Sequence, residues 1–134
     1  MEQEKQQELI FRLSMFEQQI NQIQEQIGAV EKGINDLGSL NFGLDELREG
    51  TGKEILAPLG RGVFVNATLA SESLTVDIGG KNFVKKSIPE TKEIIEEQIK
   101  KLISVKKELN ENLGKMSEEM TEALKEFQKE NPNN

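Results

Sequence analysis

Cysteine, histidine, tryptophan and tyrosine are all absent from this chain of 134 residues. Without cysteine there is no disulfide, no thiolate nucleophile and no Cys-type zinc site. Without histidine the commonest general base and the commonest transition-metal ligand are missing. The glycine-rich stretches do not restore an enzyme reading. Gly60-Arg61-Gly62 lacks the third glycine and the following helix of a dinucleotide loop, and Gly79-Gly80-Lys81-Asn82 lacks the spacing and the hydroxyl of a phosphate loop. Asp77 near Gly79 lacks the alternating oxygen ligands of a calcium loop. The sequence therefore predicts no catalytic residue, no metal ligand and no cofactor.

Aromatic and long apolar runs are also scarce. Six phenylalanines are the only aromatics, and 31% charged residues stand against 35% hydrophobic ones, so any buried layer is thin and aliphatic. The net charge of −7 divides unevenly, at about −6 for residues 1–50, about +2 for 51–87 and about −3 for 88–134. An acidic chain with no basic, aromatic-laced stripe repels phosphates, which excludes nucleic acid as a partner. No run approaches the eighteen or so apolar residues of a membrane span, and MEQEKQQE is acidic where a secretory signal is basic. The expectation is a cytoplasmic protein without a membrane partner, so the sequon Asn66-Ala67-Thr68 carries no weight.

What is present is periodicity. Leu9, Leu13, Phe16, Ile20, Ile23, Ile27, Val30, Ile34, Leu37, Asn41 and Leu44 recur in alternating steps of four and three, a heptad seam with Leu9 at d, Leu13 at a and one polar a residue, Asn41. Gly28, Gly33, Gly38 and Gly43 fall within it at about 1 kcal/mol each relative to alanine, which predicts a soft helix. A second seam follows Ser87, the expected N-cap, with Pro89 at an early helical position. Its d positions run from Ile88 through Ile95, Leu102, Leu109 and Met116 to Ala123. Its a positions are Lys92, Ile99, Lys106, Leu113, Met120 and Phe127. Each arm has about forty residues, or roughly 60 Å of helix. Folded back antiparallel, the two seams match a to d wherever paired positions add to 136, as in Leu13 with Ala123, Ile23 with Leu113 and Leu37 with Ile99. Val30 and Leu44 then face the aliphatic stems of Lys106 and Lys92. Asn131 to Asn134 form a polar tail expected to fray.

Between the arms the period becomes 2. Four β-prone runs, 54–59, 63–70, 74–78 and 83–87, are separated by turn residues and predict two successive hairpins, with Pro58 at an edge or an end. Isolated two-stranded hairpins are marginal in water. Their open edges, beside Val63, Phe64, Val65, Leu69, Leu74, Val76, Ile78 and Phe83, call for another chain to complete the sheet, and an obligate oligomer follows. The alternative is a small α+β cap folded over the chain's own helix roots.

The order helix, ILAPLGRGVFVNA, LTVDIGGKNFVKKS, helix resembles the alpha class of prefoldin over the whole chain. The most specific part is Ile55 to Phe64, similar to the family's aliphatic-Pro-x-Gly-x-Gly-x-Phe run, with Ala57 in place of a larger aliphatic residue. Two hairpins rather than one point to the alpha class over the beta class. The resemblance implies an α+β fold: a long antiparallel two-helix coiled coil, with two hairpins between the helices that build an intersubunit β-barrel. It implies one domain, with a helix over 1–49, assembly hairpins over 53–87 and a second helix over 88–130. It further implies an ATP-independent holdase in a hexamer of two alpha and four beta subunits, holding non-native polypeptides at its tips and passing them to a group II chaperonin.

The assembly residues expected on this reading are Leu56, Pro58, Gly60, Gly62, Phe64, Val76, Ile78 and Phe83. An antiparallel rod brings its chain ends together, so the client site is sought there among apolar residues off the seam. Phe11 at f and Met15 at c lie four apart, and Ile10 and Leu124 lie at e. Phe16, Met120 and Phe127, with Met116, are soft or aromatic seam residues that fraying would expose. The competing expectation is a structural or adaptor coiled coil in a prefoldin-like assembly without holdase activity.

Overall fold

A computed structural model describes residues 2–130, so the expected fraying of Asn131 to Asn134 lies outside the described residues. The order is α1 (Glu2–Glu46), β1 (Glu54–Gly60), β2 (Val63–Thr68), β3 (Leu74–Asp77), β4 (Phe83–Lys86) and α2 (Ile88–Glu130). The strands form two separate antiparallel hairpins, β1-β2 and β3-β4. The chain divides into two compact units, one of them Asn35–Lys100 and the other made of the helical stretches up to Ile34 and from Lys101.

In the helical unit the heptads order the packing. Every seam residue from Leu9 to Ile34 and from Leu102 to Phe127 is wholly or partly buried, with Leu9 and Ala123 deepest. Three cross-helix features report the register. The Lys106 ammonium lies 3.2 Å from the Glu31 carboxylate, the Arg12 guanidinium 3.6 Å from Glu126, and a Cβ on Gly33 would sit 3.3 Å from Leu102 Cδ1. These pairs add to 137, 138 and 135, bracketing the expected 136 and excluding 129 and 143, the one-heptad slips. The helix passes through its glycines without a break. Gly33 has a reason in the close approach to Leu102, whereas Gly28 and Gly38 face open space.

In the second unit, Leu44, Ile88 and Ile95 form a small core, with Leu37, Leu47, Leu74 and Ile99 packed against it. Lys92 reaches Asp45 at 2.6 Å, a pair that again adds to 137. α1 ends at Glu46, three residues before the expected Glu49, because the chain turns through Leu47 to Glu49 with Glu49 at φ 56°. Gly50 follows in a tight space, where a Cβ would stand 2.9 Å from the Leu47 carbonyl oxygen.

β1 runs through Pro58, paired with Phe64, to a bulge before Gly60. Proline has no N–H for the ladder, and as half of a two-stranded hairpin β1 leaves one edge free. The turn is made by Gly60, Arg61 and Gly62, all at positive φ. The Asp77 side chain accepts a hydrogen bond from the Gly79 amide at 2.9 Å and so ends β3 one residue before the expected Ile78.

α2 starts with a reciprocal cap. Ser87 Oγ accepts from the Glu90 amide and Glu90 Oε1 accepts from the Ser87 amide, both at 3.2 Å. The serine cap was an expectation; the glutamate half of the box, legible as Ser-x-x-Glu, is an addition.

Candidate client and assembly surfaces

The helix ends in the helical unit carry the first candidate surface. Ile10, Phe11, Met15 and Leu124 are exposed, with Phe11 at 67% and Ile10 at 55%. Phe16, Met120 and Phe127 are half-buried in the seam, so the expected client residues fall into an outward set and an inward set. The register divides the outward set further. Ile10 and Leu124 are both e positions and therefore share one flank of the helical pair, while Phe11 and Met15 face outward from α1. The opposite flank is charged. It presents Arg12 and Glu126 as an ion pair over a groove lined also by Phe16, Glu119, Glu122 and Ala123.

The hairpins carry the second surface. Leu56, Leu59, Val63, Phe64 and Val65 are all exposed on β1-β2 or its turn, Leu59 at 70%. Gly60 and Gly62 hold the turn, at φ 120° and 79°. On the second hairpin Ile78 and Phe83 are exposed, whereas Val76 is half-buried. The difference has a cause. Leu74 packs against the helix-root core, and with Val76 and Ile78 it walls a groove with Leu37, Leu40 and Ile94. The two hairpins thus behave differently: β3-β4 leans on the helix roots in part, and β1-β2 half-buries Ile55, Ala57 and Ala67 while exposing its other apolar side chains.

Four exposed residues outside the expected sets complete the inventory. Phe42, at 73%, Leu40, Ile103 and Val105 all sit off the seams. The heptad positions flag each of them, Phe42 at b and Leu40 at g, since an apolar residue off the seam has no place in a two-stranded interface.

Two carboxylates are held by local hydrogen bonds. The Asp45 carboxyl is held below its usual range by its hydrogen bond from Lys92, and Glu90 by its backbone and side-chain hydrogen bonds with Ser87. Among the described residues no cluster of carboxylates could hold a metal ion, and no helix is long and apolar enough to cross a membrane.

Comparison with known proteins agrees with this geometry. The family model for prefoldin subunits matches residues 16–132. The prefoldin subunit alpha of Methanobrevibacter smithii is 31% identical over 115 residues, covering 85% of this chain and 74% of that protein. The alpha subunit of Methanosphaera stadtmanae is 26% identical, covering 71% and 69%. A filamentous prefoldin from Methanocaldococcus jannaschii, solved by electron cryomicroscopy, superposes with a TM-score of 0.77 at 22% identity, covering 86% of this chain and 97% of that one. Two long heptad helices joined by two antiparallel hairpins, with a family match over most of the sequence, place the chain in the prefoldin family of chaperones, among its alpha-class subunits.

Proposed function

We propose that the chain is an ATP-independent holdase subunit that binds non-native polypeptides at its helix ends and delivers them to a group II chaperonin in the cytoplasm. The observation that carries this reading is the exposed apolar group Ile10, Phe11, Met15 and Leu124, which the seam does not need. Binding, not chemistry, is what such a surface offers. A groups of sparse anchors with a flexible methionine suits many sequences rather than one. Phe16, Met120 and Phe127 join the site when the last turns fray.

Assembly belongs to residues 53–87. Leu56, Pro58, Gly60, Gly62, Phe64, Val76, Ile78 and Phe83 join the hairpins to those of beta-class subunits, in a hexamer of two alpha and four beta chains closed by β-barrels. The support is physical: a two-stranded hairpin with exposed Leu56, Val63 and Phe64 and an open edge is an incomplete sheet.

The test is suppression of aggregation of a chemically unfolded client by the assembled protein. Replacing Phe11, Met15 and Leu124 by serine is expected to weaken holding severalfold while native mass stays unchanged. Full holding by that variant would overturn the assignment. Phe127 is tested separately, because its half-buried seam position ties it to stability as well.

A second reading, a structural or adaptor subunit without holdase activity, draws support from the filamentous state of the Methanocaldococcus protein. Native mass with and without a beta-class partner, combined with the aggregation assay, separates the two.

A further inference from the structure

We propose that the preferred clients are unfolded segments in which apolar residues are interspersed with lysine or arginine, a refinement that rests on the holdase reading. Phe11 and Met15, unlike Ile10 and Leu124 on the other flank, lie on the Arg12 side of α1, where the lining carboxylates outnumber the cations. Arg12 pairs with Glu126 at 3.6 Å. Glu119 and Glu122 line the same groove, are exposed, and enter no ion pair among the described residues. One guanidinium thus faces three carboxylates over an apolar floor of Phe16 and Ala123. On the adjoining surface Glu8 lies beside Phe11 and Leu9, in grooves lined also by Lys5 and Arg12.

A client that lays leucine or phenylalanine on Phe11 and Met15 brings its neighbouring side chains within a Debye length, ~8 Å at physiological salt, of these glutamates. Cationic neighbours find complementary charge there, and anionic ones meet repulsion. The apolar contacts supply affinity for any unfolded chain; the carboxylates select among them.

The test measures binding of two fluorescent peptides to the full assembled protein. The peptides have equal length and equal leucine and phenylalanine content, and one carries lysines where the other carries glutamates. The lysine peptide is expected to bind about fivefold tighter at low salt, with the difference shrinking at ~1 M salt. Glu119→Gln with Glu122→Gln is expected to remove about half of that preference on a logarithmic scale. Glu96→Gln with Glu97→Gln, an exposed pair in the other unit, is expected to leave it intact. Equal binding of both peptides overturns the charge preference and leaves the holdase reading standing. Equal sensitivity to both glutamine pairs overturns its location. If neither peptide binds and the serine variant of Phe11, Met15 and Leu124 still holds client, both readings fall.

Discussion

At the scale of single residues, the glycines of α1 separate into those the packing needs and those it does not. Gly28 and Gly38 face open space, so alanine at either is expected to raise stability by about 1 kcal/mol, read as a higher melting temperature. At Gly33 the new Cβ would meet Leu102 Cδ1 at 3.3 Å, and the gain is expected to shrink or reverse. Gly50→Ala is expected to destabilise, because backbone at 2.9 Å cannot give way as a flexible side chain does. The Glu90 cap and the Asp45–Lys92 ion pair yield a pH prediction. Glu90 and Asp45 both titrate below their ordinary values of 4.5 and 3.8 in the folded chain. Their contribution is therefore present above those values and is lost as pH falls through them toward the lowered folded ones. Melting followed down the acid range is expected to show a shallower decline for Asp45→Asn with Glu90→Gln than for the native chain. Loss of the serine cap alone, Ser87→Ala, is expected to cost about 1 kcal/mol at neutral pH.

At the scale of elements, register is the main issue, and the polar seam residues decide it. Lys92 and Lys106 occupy a positions where an apolar residue would pack better, yet each reaches a carboxylate at an e position of α1, Asp45 and Glu31. The lysines are two heptads apart and so are the acids. A one-heptad slip toward lower sums sets the lysines against Gln24 and Gly38, and the opposite slip offers Gly38 alone within α1. Asn41, whose buried side-chain oxygen has no hydrogen-bond partner among the described residues, adds a third polar interruption. Such groups cost stability and purchase no affinity of their own, but they penalise wrong alignments. Cysteines at Ile23 and Leu113 are expected to cross-link, and pairs one heptad off are not. Leucine at Lys92 and Lys106 together is expected to raise the melting temperature and allow the off-register cross-links. The seam, the register and the hairpin count were all legible beforehand, because burial imposes its period on the spacing of apolar residues. The lean of β3-β4 was not. Alternation in Leu74 and Val76 marks an inner face without saying what body it meets.

At the scale of the whole molecule, one chain leaves its sheets unfinished. Phe64→Asp is expected to lower the native mass of the assembly, since Phe64 is exposed on a hairpin with little core of its own. Val76→Asp acts differently, because its half-buried side chain also lines the helix-root groove, so a loss of monomer stability is expected beside the loss of mass. The residues proposed to hold clients are reached only by subtraction, as exposed apolar residues the seam does not use. That subtraction reached Phe11 and Met15, and carried through the remaining heptads it reaches Phe42, Leu40, Ile103 and Val105 as well.

The sequence by itself determined the helices, their antiparallel register, the two hairpins and the absence of cysteine and histidine. Each of these is written in local spacing or composition, which tertiary packing had no reason to override. Only the tertiary structure decided that β3-β4 rests on the helix roots through Leu74 while β1-β2 leaves most of its larger apolar side chains exposed, and that Arg12 answers one of three neighbouring carboxylates. Those outcomes depend on which surfaces meet across distant parts of the chain, and a one-dimensional period carries the phase of a face but not the identity of what covers it.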